Sequence, residues 1–139
     1  MHILLIEDNM GDVLLTKEAL KELPDKHQLH VVKDGEEALR YLRGEGEFVD
    51  RIDPDIIFLD LNLPRKDGRE VLAEIKNDEQ FRRIPVMVLT TSEARVDIDI
   101  CYNLHANCFI TKPVDINEYI DVIKGIDDFW FKIAKLPGH

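Results

Sequence analysis

The chain has 139 residues, 45% hydrophobic and 33% charged, the balance of one ordinary globular domain able to bury a core without disulfide or metal staples. Its formal net charge of −10 argues against binding nucleic acid, which calls for clustered Lys and Arg, and no apolar run approaches the length of a bilayer span. Neither a basic segment nor a cleavage site precedes the apolar run from Ile3 to Ile6, and only Cys101 and Cys108 are present, so a reducing cytoplasm is the expected setting.

In chain order the pattern predicts strand then helix, five times. His2 to Glu7 is an apolar strand, and Met10 to Leu23 follows with Val13, Leu14, Ala19, Leu20 and Leu23 mostly at helical spacing before Pro24 stops it. Gln28 to Val32 is a short second strand. The string Asp34-Gly-Glu-Glu37 reads as a capping box opening a helix through Leu42, which Gly44 and Gly46 end. Asp55 to Asp60 is the third strand and Arg69 to Asn77 the next helix, with Val71, Leu72 and Ile75 on its inner face. Pro85 to Thr90 is the fourth strand, after which Ser92 is placed to cap a helix to about Leu104. Cys108 to Thr111 is the fifth. Asp115 and Glu118 form a second capping box, and the helix they open is expected to run to Leu136 before Pro137, carrying Tyr119, Ile123, Ile126, Trp130 and Ile133 on one stripe.

Strands that are apolar throughout suit parallel strands covered on both faces. The expected fold is therefore α/β, a doubly wound five-stranded parallel sheet flanked by five helices, in one domain over residues 1–139 with no output domain. Cys101, His105 and Cys108 make a Cys-x3-His-x2-Cys string, but three ligands are fewer than a structural zinc site takes, and the cysteines read as small buried hydrophobes.

In such a sheet ligands bind at the carboxyl ends of the strands. The residues closing those ends here are Glu7 and Asp8, Asp60, Thr90 and Lys112. Each alone has a plain reading: Asp60 as a turn former, Glu7 and Asp8 as acids at a helix entry, Thr90 as a β-branched strand end, Lys112 as a loop charge. Together they make three carboxylates that repel one another unless a cation joins them, and few hard oxygens with room for water and phosphate suit Mg2+. Lys112 supplies a mobile positive charge and Thr90 a hydroxyl, a set that fits phosphoryl transfer to Asp60 as nucleophile.

Two other classes compete. An aspartyl-phosphate phosphatase or mutase also uses a strand-end Asp with magnesium, usually in an Asp-x-Asp string on the first strand, whereas here the string is Asp60-Leu-Asn62 on the third. A flavin or nucleotide binder would want a phosphate-cradling Gly-rich loop, and none is present. Phosphorylation-independent protein binding through the C-terminal helix is a further alternative.

With these motifs in view, the chain from Ile3 to about Lys124 resembles the receiver domains of two-component response regulators. The resemblance implies a flavodoxin-like fold with strand order 2-1-3-4-5, Asp60 as phosphoacceptor from a sensor histidine kinase, Asp8 as a direct Mg2+ ligand, Glu7 acting through water, and Asn62 supplying a backbone carbonyl to the metal. It implies that Thr90 is the switch hydroxyl, Lys112 the conserved-type lysine, and the Lys112–Pro113 bond cis. Phe109 falls at the switch aromatic, where the commoner Tyr would add a hydroxyl; its plain reading is a core Phe. Asn62 and Ser92 fall at positions that tune phosphoryl lifetime, and Thr91, larger than the usual Ala or Gly, is expected to narrow access to Asp60. The segment "FWFKIAKLP" with "LPRKDG" is similar to the stand-alone receivers of cyanobacterial-type phytochrome kinases. That likeness implies a homodimer through helix four, strand five and helix five, with Phe129, Trp130 and Phe131 at a dimer or partner interface and an unnamed downstream protein as target.

Overall fold

The computed structural model describes residues 1–138. Strands β1 (His2–Ile6), β2 (Gln28–Val32), β3 (Ile56–Leu59), β4 (Val86–Thr90) and β5 (Cys108–Thr111) form one parallel sheet in the order β2-β1-β3-β4-β5. Helices α1 (Met10–Lys21), α2 (Gly35–Arg43), α3 (Gly68–Asn77), α4 (Arg95–Asn103) and α5 (Ile116–Ile126) alternate with the strands, and a 3-10 turn spans Gly46–Phe48.

Because side chains alternate across a strand, each strand feeds two cores. Ile3, Leu5, Ile56, Phe58, Met87 and Leu89 pack with Val13 and Leu20 of α1 and Tyr119 and Ile123 of α5. Leu4, Ile6, Ile57, Leu59, Val86 and Val88 pack with Leu39 and Leu42 of α2, Val71 and Leu72 of α3 and Cys101 of α4. Burial on both faces explains why β3 and β4 carry no alternating polar residues.

Local chemistry sets the helix starts. Asn9 accepts from the Asp12 amide at 3.0 Å, Asp34 from that of Glu37 at 2.8 Å, and Asp115 from those of Asn117 and Glu118. At the other end of α2, Gly44 takes the left-handed conformation, φ 67°, that closes the helix. α4 departs from expectation. Its first helical residue is Arg95, after Ala94, which has no side-chain cap, and Ser92 instead accepts from the Ala94 amide at 3.2 Å in the preceding turn.

The last helix also differs from the long α-helix expected to Leu136. Regular α winding stops at Ile126, Asp127–Ile133 is π-helical, and Ala134 is extended, its amide bonded to the Phe129 carbonyl at 2.7 Å. The i to i+5 winding turns the aromatic stripe around the axis. Phe131 therefore lies against the His27 ring at 4.7 Å, and Trp130 is half-buried on the same core, leaving Phe129 and Ile133 exposed. Of the three aromatic residues expected at a dimer or partner interface, Trp130 and Phe131 thus pack partly on their own domain while Phe129 is exposed. A buried pair fixes this turn, with His27 Nε2 3.2 Å from Asp127 Oδ1 and both side chains almost fully enclosed.

Candidate functional site at the carboxyl ends of the strands

The sheet register brings the strand-end residues to one edge. Ile6 is level with Leu59 and Thr90 with Thr111, so Glu7 follows beside Asp60 and Lys112 comes just past Thr90. Backbone bonds fix these exits: the Glu7 amide donates to the Val32 carbonyl at 3.0 Å, that of Asp60 to Ile6 at 3.0 Å, and that of Lys112 to Thr90 at 2.7 Å. The loop after Asp60 is held by Gly68, whose amide donates to the Leu61 carbonyl at 2.9 Å. A side chain at Gly68 would place a Cβ 2.3 Å from the Asp60 carbonyl oxygen, so this close approach requires glycine.

Oxygens of Glu7, Asp8 and Asp60 all lie within 4.8 Å of one another, the one such group of potential metal ligands among the described residues. Glu7 and Asp60 are buried and Asp8 is exposed, so the cluster opens to solvent on one side. An all-carboxylate, hard-oxygen set fits a divalent cation of the Mg2+ or Mn2+ kind and not one that wants thiolate or imidazole. The Cys101, His105 and Cys108 string does not gather in this way: burial pushes the Cys108 thiol up to about 11, and it contacts Met87 Sδ at 2.8 Å.

Lys112 is the cation inside the cluster. Its ammonium contacts Glu7 most closely, lies 3.0 Å from Asp12 Oδ2, and stands 3.8 Å from Asp60 Oδ2. Lys112 was expected only as a mobile positive charge at this edge; the structure gives it two partners nearer than Asp60. Asp12 is a member that the sequence reading missed, although its place in the first turn of α1, capped by Asn9, points it at the same edge. Burial pushes Glu7 up to about 7, aided by Asp60 and opposed by Lys112. Burial alone would pull Lys112 down, but Glu7, Asp60 and Asp12 together drive it above its ordinary value. The cluster is thus held by one shared cation, Lys112.

The remaining expected members sit around this core. Thr90 is fully buried, and its hydroxyl lies 3.5 Å from the Ser92 amide. Asn62 and Thr91 are exposed. Phe109 is half-buried on the α4 side, its amide donating to the Tyr102 hydroxyl at 3.2 Å. The Lys112–Pro113 bond is trans, since no peptide bond among the described residues is cis, which corrects the cis expectation. The Lys112 amide and ammonium are both already anchored, so the lysine is aimed with the proline bond in its ordinarily preferred isomer.

A parallel sheet in this order, ending on three acids, a threonine and a lysine, defines a class. The family model of the response regulator receiver domain matches residues 3–124, and the chain belongs to that family. Among its relatives is response regulator Rcp1 of Synechocystis sp., 44% identical over 136 residues that cover 98% of this chain and 92% of Rcp1. The crystal structure of the phosphorylated cyanobacterial phytochrome response regulator RcpA superposes with a TM-score of 0.95 at 50% identity, covering 99% of this chain and 98% of RcpA. That of the Mn(2+)-bound form of Rcp1 gives 0.93 at 44% identity, covering 99% of each. No helix among the described residues is long and apolar enough to cross a membrane.

Proposed function

We propose that the protein is a phosphorylation-controlled switch in which Asp60 accepts a phosphoryl group from a sensor histidine kinase of the phytochrome type, in the cytoplasm. The observation that carries this reading is the convergence of Glu7, Asp8 and Asp60 within 4.8 Å, with Lys112 on its inner side. An Asp60 oxygen bonds to phosphorus as the donor's bond to phosphorus breaks, and the donor leaves with its electron pair. Lys112, 3.8 Å from Asp60 in the resting state, stabilises the added charge, and the Thr90 hydroxyl hydrogen-bonds the phosphoryl oxygens. Mg2+ would be held by Asp8, Asp60, the Asn62 carbonyl and, through water, Glu7, and supplies charge neutralisation on the transferring group.

Phe109 and Ser92 fit the roles of switch aromatic and lifetime-tuning residue. The response is carried by the surface of α4, β5 and α5, where Val96 and Tyr102 are exposed apolar residues suited to a symmetric homodimer or a downstream protein. Enzymatic turnover of other phosphoesters is not part of this reading.

Intact mass after incubation with Mg2+ and acetyl phosphate tests it. One phosphoryl adduct is expected that needs the cation and is absent in Asp60→Asn. A folded protein that takes no adduct, or that releases phosphate from acetyl phosphate catalytically after Asp60→Asn, overturns the assignment. Sedimentation with and without beryllium fluoride tests the dimer, which is expected to strengthen when the site is filled.

A further inference from the structure

Outside the acidic cluster, one polar chain joins the two sides of the cleft. Ser92 Oγ donates to Asp97 Oδ2 at 2.7 Å; Asp97 Oδ1 accepts from Arg69 Nη2 at 2.6 Å and from Nε at 3.2 Å. Arg69 Nη1 turns back to Asp67, the N-cap of α3, at 3.1 Å. At one end, Gly68 next to Asp67 is bonded to Leu61 in the loop after Asp60; at the other, the Ser92 amide points at the Thr90 hydroxyl. The chain thus runs from the Asp60 loop, across the first turns of α3 and α4, to the switch hydroxyl.

Its weight follows from how little else holds α4. That helix has no side-chain cap, and Cys101 is its single buried residue, so apolar packing anchors it weakly. A guanidinium bridging two carboxylates is among the stronger polar contacts, and here the Asp97 and Arg69 side chains are 16% and 28% exposed. The Ser92 hydrogen bond and Arg69 together hold the Asp97 carboxyl below its usual range. Ser92 is fixed from a third direction, because Thr111 Oγ1 donates to its carbonyl at 3.0 Å. Movement of Thr90 toward a group on Asp60 therefore strains Ser92 against Asp97.

We propose that the Arg69, Asp97 and Ser92 relay is a latch on the resting state, with Arg69 and Asp97 acting as positioning residues that resist the inward movement of Thr90. The inference rests on the reading of Asp60 as phosphoacceptor. Cutting the latch lowers the cost of the active arrangement and raises affinity for a group that mimics phosphate on Asp60.

The test is titration of the full chain with beryllium fluoride in Mg2+, followed through the amide resonances of Thr91 and Ser92. Asp97→Ala and Arg69→Ala are each expected to bind about tenfold more tightly than the parent, within the usual range of such coupling. The double variant is expected to match Asp97→Ala, since both changes break one chain. Asp97→Asn, whose amide still donates to Ser92 Oγ and whose oxygen still accepts from Arg69, is expected to return most of the way to the parent. Equal affinity in all four variants, or weaker binding after cutting, overturns the latch, and a simple loss of thermal stability without an affinity change assigns the relay to structure alone. A parent that binds no beryllium fluoride at Asp60 overturns the phosphoacceptor reading instead.

Discussion

Gly68→Ala tests how tightly the Asp60 loop is built. The added Cβ would stand 2.3 Å from the Asp60 carbonyl oxygen, 2.6 Å from Leu61 Cα and 2.8 Å from the Leu61 carbonyl oxygen, all backbone atoms with no rotamer to escape into. Ordinary contact begins near 3.4 Å, so the β3 exit and the start of α3 must separate by roughly 1 Å. Overpacking of this kind costs about 3 kcal/mol, and the helix propensity gained from alanine returns at most about 1 kcal/mol. A net loss of about 2 kcal/mol lowers the melting temperature of a chain this size by about 8 °C. Because the displaced carbonyl belongs to the proposed phosphoacceptor, labelling by acetyl phosphate should slow by about tenfold or more. Gly125→Ala is the control: it lies in α5 with nothing within 4 Å of the new methyl, and is expected to stabilise by about 0.5 to 1 kcal/mol. Urea unfolding of both variants, with timed mass spectrometry of the adduct, decides the matter. A Gly68→Ala protein within about 0.5 kcal/mol of the parent and labelled at the parental rate would refute the reasoning.

Three further outcomes are expected. Asp127→Ala strips His27 of its Nε2 partner in a site where Nδ1 already has none, and should cost about 2 to 3 kcal/mol in urea unfolding, whereas an exposed pair such as Lys21 with Glu18 should cost under 1 kcal/mol when broken. Tyr119→Phe removes the hydroxyl that meets Thr16 Oγ1 at 2.7 Å and should cost about 1 kcal/mol; no change would mean that the Thr16 bond to the Asp12 carbonyl suffices. Burial, and then the neighbouring His2, hold His30 below its ordinary 6.5, so the unfolded chain takes up the proton first and stability falls as pH drops below 6.5. Glu7, pushed up to about 7, has the opposite sign, losing stability as pH rises from 4.5 through 7; comparing parent with His30→Gln in chelator at pH 5.5 and 8 cancels it. The variant should lose less stability on acidification, and equal losses would remove His30 from the account.

The sheet was legible in the sequence because burial on both faces writes unbroken apolar runs. Phe58 and Val88 can sit nowhere but between two helical layers, and turn residues such as Gly44 and Pro24 mark where each element stops. The acidic residues and Lys112 were legible for a related reason: a charge that ends an apolar strand is exceptional, so three such ends, after the first, third and fifth strands, point to one edge. What stayed hidden depends on side-chain reach across elements. Nothing in the spacing of Asp12 says that Lys112, a hundred residues on, lies nearer to it than to Asp60. Arg69 and Asp97 lie on separate helices, and no spacing in the sequence pairs them. The C-terminal stripe misled because a 3.6-residue period was assumed where the chain winds wider, and the demand of His27 for Asp127, a contact between distant segments, overrides local propensity.

The arrangement of the single lysine also bears on how the proposed site would respond to a new charge. Were Lys112 fully paired with Asp60, that carboxylate would be neutralised and held, and an incoming group would have to break the pair. With the ammonium drawn instead to Glu7 and Asp12, Asp60 stays 3.8 Å from it and remains the least compensated buried acid of the cluster. Adding negative charge on Asp60 then shifts the balance of a cation already within reach of three acids, a movement of an ångström or so and not a refolding. Thr90, one backbone bond from Lys112 and one side-chain bond from Ser92, lies where that rebalancing meets the relay to α4. The same short path makes Asp12→Asn informative: with one competitor neutralised, Lys112 should move toward Asp60, and labelling by acetyl phosphate should slow. An unchanged rate would show that the resting position of the lysine does not govern access to Asp60.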